Sequence, residues 1–139
     1  MTLHLIKWAA GIESVPHLRA VHARRRQTSG SVFSITGITP RRAADLVAGG
    51  SLYWVIRHVT AVRQPLLAIG TEDDPDRPGR TVCRLTLGDH VAVAGHHRRP
   101  FQGWRYLTPE DAPADLPAGI DDHEPPPEMA AELRALGLL

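Results

Sequence analysis

The chain has 139 residues, a net charge of +1 and an apolar fraction of 42%, which fits one domain with a single core and excludes a disordered chain. No apolar run approaches the roughly 18 residues of a membrane helix, and residues 1–12 lack the regions of a secretory signal. Cys83 is the only cysteine, which excludes an internal disulfide and a thiolate zinc site, so a cytoplasmic protein without membrane contact is expected.

Leu3 to Trp8 reads as a first strand. Ser14 is a good N-cap with Pro16 in the turn behind it, and Val15, Leu18 and Val21 keep helical spacing to Arg26. Arg24, Arg25 and Arg26 then fall in the last turn, where cations complement the helix dipole. After the polar break at residues 28–31, Val32 to Thr36 is β-rich. Thr39-Pro40 predicts an N-cap and a first helical position for a short helix that Gly49-Gly50 closes. Ser51 to Ile69 is dense in β-branched and aromatic residues and reads as two strands, 51–61 and 64–69, bent or bulged near Arg63 to Pro65. An acidic, Pro-rich loop follows. Arg80 to Leu87 alternates, with Thr81, Cys83, Leu85 and Leu87 on one face; Val91 to Ala94 is a short strand and Phe101 to Leu107 the last. Thr108-Pro109-Glu110-Asp111 carries a helix-start signature.

Three units are expected: a basic core over residues 1–111, a Pro-rich acidic linker over 112–127, and a C-terminal helix over 128–139 that packs on the core through Met129, Leu133 and Leu136. The order β-α-β-α and then a run of strands implies α+β, with a curled mixed or antiparallel sheet or a partly closed barrel and two to four short helices. Charge is asymmetric. Residues 1–107 hold 15 Lys and Arg against 7 Asp and Glu, whereas residues 108–139 hold 1 against 8. Codon usage explains why fifteen of the sixteen cations are arginine, but not why the acids collect at one end. A basic body with an acidic tail suits an anionic partner, or a tail that folds back on the body or joins a second copy.

Residues 98–107, RRPFQGWRYL, hold three arginines and three of the chain's seven aromatic rings. On a strand, Gln102, Trp104 and Tyr106 share one face and Phe101, Arg105 and Leu107 the other; Arg98 and Arg99 precede it, exposed. In Ser51 to Arg57 the alternation sets Leu52, Trp54 and Ile56 against Tyr53, Val55 and Arg57. One reading is an amphipathic strand over a core. The other puts Tyr53, Arg57, Trp104 and Arg105 on a surface where rings stack on bases and guanidinium groups pair with phosphate. Arg41 and Arg42 at a helix start, with no acid before Asp45, make a further anion site or a pair of solvated side chains. The eight histidines show no convergent spacing, Cys83 reads as a buried small residue, and there is no phosphate-cradling glycine loop or hydrolase motif. No metal site and no cofactor are expected.

The segments Met1 to Lys7, Gly49 to Ile56, Arg63-Gln64, Arg99 to Leu107 and Asp111 to Pro113 resemble the uncharacterised proteobacterial family known as domain of unknown function 1489. The resemblance spans nearly the whole chain and implies a small intracellular domain but no reaction. Members of that family often carry Lys-Gly where this chain has Arg57-His58. Ile38-Thr39-Pro40, a short helix, Gly49-Gly50 and then a strand with an arginine is also similar to PUA-like and ASCH-like RNA-binding domains, which implies a small pseudo-barrel with a basic cleft. The expected function is a non-enzymatic RNA- or nucleotide-binding module that uses Arg41, Arg42, Tyr53, Arg57, Arg63, Arg98, Arg99, Trp104 and Arg105. The alternatives are an assembly module working through the acidic tail, and a small enzyme on an anionic metabolite with Arg57 and Arg63 as the clamp.

Overall fold

The structure, a computed structural model, describes residues 2–116. The expected C-terminal helix and all of the expected linker beyond Leu116 lie outside the described residues. In chain order the elements are β1 (His4–Trp8), α1 (Val15–Ser29), β2 (Val32–Thr36), α2 (Ala43–Val47), β3 (Ser51–Ile56), β4 (Val59–Asp73), β5 (Thr81–Leu87), β6 (Val91–Ala92) and β7 (Trp104–Leu107). The fold is α+β. Its single seven-stranded sheet runs β2-β5-β4-β3-β1-β7, with β6 added to β4. Only β1 and β3 pair in parallel, so the sheet is mixed.

β4 organises this sheet. Residues 59–65 pair with β3 and residues 66–73 with β5, and a register shift between Leu66 and Ala68 leaves Leu67 exposed. The strand therefore serves two partners along its length. The turn before it lies at Arg57-His58, both at positive φ (51° and 69°). A two-residue loop of that kind matches the right-handed twist of the flanking strands. The expected strand 51–61 is thus two strands, and the expected bend near Arg63 to Pro65 is uninterrupted strand. The irregularities flank it: the β3–β4 register shifts between Trp54 and Val55, opposite Ala61, and the β4–β5 register between Leu66 and Ala68, one step beyond the expected bend or bulge.

α1 begins as its sequence dictates. Ser14 Oγ accepts from the His17 N–H at 3.2 Å, and the helix closes on Gly30 in the left-handed conformation. It continues past the expected end at Arg26 because Gln27, Thr28 and Ser29 tolerate a last turn. α2 is shorter than expected. Arg42 occupies its N-cap without a side-chain hydrogen bond to cap it, and Thr39-Pro40 belongs to the connector before it. Thr108 to Asp111 forms only a turn, closed by Asp111 N–H and Ala112 N–H on Thr108 O and by Thr108 Oγ1 on Asp111 Oδ2, so the described residues hold two helices.

The sheet has two covered faces. On one, α1 sets Val15 and Leu18 against Leu3, Leu5, Leu52, Trp54, Val62, Leu66, Cys83, Leu85 and Leu87. Inside this core Gln64 is fully buried, accepting from Trp54 Nε1 at 2.7 Å and donating to Gly88 O at 2.9 Å, which satisfies both ends of its amide. Gly50 is fixed by crowding, because a Cβ there would collide with Leu3 O and Leu46 O. On the other face Ile6, Tyr53, Val55, Val93 and Leu107 form a smaller core with Trp8, Phe101 and Ala112 packed on it. Residues 112–116, expected to start a loose linker, close this core. Asp115 bridges to Val93, and Leu116 N–H donates to Ala92 O.

Of the two forms expected, the curled mixed sheet is the one present: it does not close into a barrel, because β2 and β7 end the strand order without pairing. Side chains span the opening instead. Lys7 Nζ donates to Ser34 Oγ and to Ile35 O, Trp104 Nε1 donates to Ile38 O, and Tyr106 Oη accepts from Arg42 N–H. This seam ties β1 and β7 to β2 and its following connector.

Candidate functional site

The β3–β4 turn and the segment before β7 bring rings and cations together at one end of the second face. Thr60 builds the platform. It donates to Ala94 O through Oγ1 and accepts from His96 N–H, while its own N–H donates to His96 O. Val59 bridges to His97, and Arg98 N–H donates to His58 O at 2.7 Å. These bonds pin residues 94–98 along the start of β4. The His58 ring then stacks on His97, with centroids 6.0 Å apart, and meets Trp8 edge-on at 4.9 Å. Trp8 meets Phe101 edge-on at 6.3 Å, and the Arg105 guanidinium lies over the Phe101 ring at 4.8 Å. Such a cation–π contact contributes about 0.5–1 kcal/mol at an exposed site.

Arg57, Arg99 and Arg105 are exposed here, Arg98 is half-buried, and none of the four pairs with a carboxylate among the described residues. Two buried donors, the Trp8 indole Nε1–H and the Arg98 Nε–H, have no hydrogen-bond partner among the described residues. Buried donors are normally matched, so each of these carries an uncompensated desolvation cost. Of the sequence-based set, the structure sets Arg105 over the Phe101 ring and ties the Arg98 backbone to His58, with Arg57 and Arg99 their exposed chain neighbours. It adds Trp8, His58, His97 and Phe101, which the sequence reading did not assign to the site. Ile56-Arg57-His58-Val59, two residues between apolar runs, was the available signal for the turn.

Other expected site residues lie elsewhere. Trp104 is half-buried, and with Arg41 and Arg42 it belongs to the seam. Arg42 pairs with Asp45 at 3.0 Å, and its amide N–H is taken by the Tyr106 hydroxyl. With only five residues in α2, the helix-terminus anion site expected at Arg41-Arg42 is not formed. Tyr53 is corrected outright. It faces away from the main core as the alternation predicts, yet it is 4% exposed because residues 93–116 cover that face.

Arg63 is likewise spent. It holds Asp115 through two bonds of 2.8 Å and Ser51 Oγ through a third of 3.0 Å. His4 joins this partly exposed network, accepting the Ser51 N–H at Nδ1 and meeting Tyr53 edge-on. Burial first, then the Arg63 charge, holds the His4 pKa below its ordinary value; the same guanidinium lowers that of Asp115. The network latches the closing segment. Arg57 and Arg63, weighed as a substrate clamp, stand about 13 Å apart at ~3.3 Å per strand residue.

A second pair was invisible to spacing. His22 Nδ1 lies 2.8 Å from His90 Nε2, although 68 positions separate them, and burial followed by His90 and Arg25 lowers the His22 pKa to about 4. No His, Cys, Asp or Glu cluster among the described residues is arranged to hold a metal. No helix there is long and apolar enough to cross a membrane.

No curated protein and no solved structure matches this chain. One family model does, and it covers residues 5–139, from the second residue of β1 to the last residue of the sequence. By that match the chain belongs to the family described as protein of unknown function DUF1489.

Proposed function

We propose that this domain is a non-enzymatic binding module for phosphate-bearing ligands, with single-stranded RNA as the preferred class, in the cytoplasmic setting expected from the sequence. The observation that carries this reading is the chain of ring contacts from His97 through His58 and Trp8 to Phe101, with the Arg105 guanidinium over the Phe101 ring and the exposed Arg57 and Arg99 in the adjoining segments. Rings stack on bases without regard to sequence, at ~1–3 kcal/mol per base, and guanidinium groups take phosphate oxygens in pairs. RNA is preferred over duplex DNA because unstacked bases can lie on rings that a duplex cannot reach.

Fluorescence anisotropy with a labelled single-stranded RNA, repeated across salt concentrations, tests the reading. Affinity should fall steeply with salt, and replacing Arg57 and Arg105 together with alanine should reduce the slope of log K on log salt by about 1.4. Arg77→Ala, in the exposed β4–β5 loop, serves as the control. Absence of any salt-sensitive binding tighter than tens of micromolar, or equal weakening by Arg77→Ala, refutes it.

A further inference from the structure

We infer, on the ligand-binding reading proposed above, that the β3–β4 turn holds one nucleotide of a single strand, with the Arg57 guanidinium on its phosphate and the His58 and His97 rings against its base. Among the described residues, positive φ is otherwise confined to glycines: Gly11, Gly30, Gly49, Gly79 and Gly103. Arg57 and His58 break that pattern, side by side, at 51° and 69°. Left-handed backbone costs a residue with a side chain free energy that glycine avoids. A two-residue hairpin turn with both positions at positive φ favours Asn-Gly, Asp-Gly or Gly-Gly for that reason. This turn instead keeps two long side chains in the strained conformation, and strain of this kind gathers at binding sites.

The surroundings fix the strained pair. Ile56 pairs with Val59 across the turn, and Arg98 N–H donates to the His58 carbonyl at 2.7 Å. Trp8 meets the His58 ring edge-on at 4.9 Å, and the His97 ring lies within 9° of parallel to it at 6.0 Å. Packing therefore accounts for part of what keeps His58. It accounts for nothing at Arg57, whose side chain is exposed and pairs with no carboxylate among the described residues. A cation on one residue and a fixed ring on the next match the anion and the planar base of a nucleotide.

Fluorescence anisotropy against two labelled probes separates these contacts: a single-stranded RNA, and an abasic strand of the same length and charge. Arg57→Gly should weaken both probes and reduce the slope of log K on log salt by about 0.7. It should also raise the midpoint of urea unfolding, because the strain at that position is gone. His58→Gly should weaken the RNA by at least about fivefold and leave the abasic strand unchanged. Arg57→Gly keeps both rings and keeps the test decisive if His58→Gly does not fold. An unchanged or lower midpoint in Arg57→Gly overturns the inference, as does RNA affinity that either variant leaves intact. Equal loss of both probes in His58→Gly, or equal wild-type affinity for the two, removes the base contact and overturns it too. Each of those results leaves the ligand-binding reading standing, whereas a wild type that binds neither probe refutes that reading and the inference with it.

Discussion

His22 is 1% exposed on α1, with one imidazole nitrogen on His90 and Arg25 close enough to repel a proton. Its pKa falls to about 4 from an ordinary 6.5, so the unfolded chain binds the proton more tightly than the fold does. The stability that follows is complete above pH 6.5 and drains as pH falls from there towards 4. At pH 5 the loss is on the order of 2 kcal/mol. His4, lowered by burial and by Arg63, acts in the same direction. Asp115 and Asp74 do not enter this window: their lowered pKa values give stability that is lost only below the ordinary carboxylate value of 3.8. Urea unfolding between pH 4.5 and 7 should therefore show the midpoint falling on acidification, and His22→Gln should flatten most of that dependence. A wild-type midpoint constant across the range contradicts the account. Gly50 gives a sharper expectation at the same scale. Gly50→Ala meets two backbone oxygens that cannot swing aside, so it should cost about 3 kcal/mol or more in chemical denaturation, whereas Gly37→Ala, in open space at ordinary φ, should cost little.

Elements were legible in the sequence where one local rule governed them. Ser14 and Pro16 marked the start of α1, and the alternation in Arg80 to Leu87 marked β5 with Cys83, Leu85 and Leu87 inward. Thr108 to Asp111 shows the limit of such rules: the capping contacts formed, but no helix followed, because the chain turns there to cover the second face. Covering a face is a tertiary event, and it is why Tyr53 could be assigned to the correct side of β3 yet not to its burial. The latch that holds the cover, Arg63 with Asp115, joins residues 52 positions apart and has no local signature. Asp115→Asn should loosen it. The pair is partly exposed, so about 1 kcal/mol of stability is at stake, although its bidentate geometry places it above an ordinary surface pair. Exchange of the Val93 and Leu116 amides should rise while the amides of α1 stay protected. Equal loosening throughout would mean that the cover and the main core unfold together.

At the scale of the whole molecule, the open curl governs where surfaces lie. A closed barrel would satisfy both edges by backbone pairing; here, among the described residues, the β2 and β7 sides of the opening meet through the side chains of Lys7, Trp104 and Tyr106 and their partners. The sequence reading reached the curl, because many strands in a short chain must bend, but closure depends on strand tilt and stagger, which no residue pattern encodes. That is also why Trp104 and the Arg42 backbone meet at the seam while Arg105 lies over Phe101 and Arg98 is tied to His58 at a different surface. Lys7 and Trp104 are cross-strand partners and bond the β2 strand and its connector within a few residues of each other. Trp104→Phe removes one neutral hydrogen bond, worth about 1 kcal/mol. Lys7→Met removes a charge that burial and Arg25 disfavour, so its own cost should be smaller than two lost bonds suggest. Each variant leaves the other contact to hold the same opening, so their combination should cost at least about 0.5 kcal/mol more than the sum of the single effects. A double-mutant cycle by urea denaturation measures that excess. Additivity within about 0.3 kcal/mol would show two independent bonds and no shared seam.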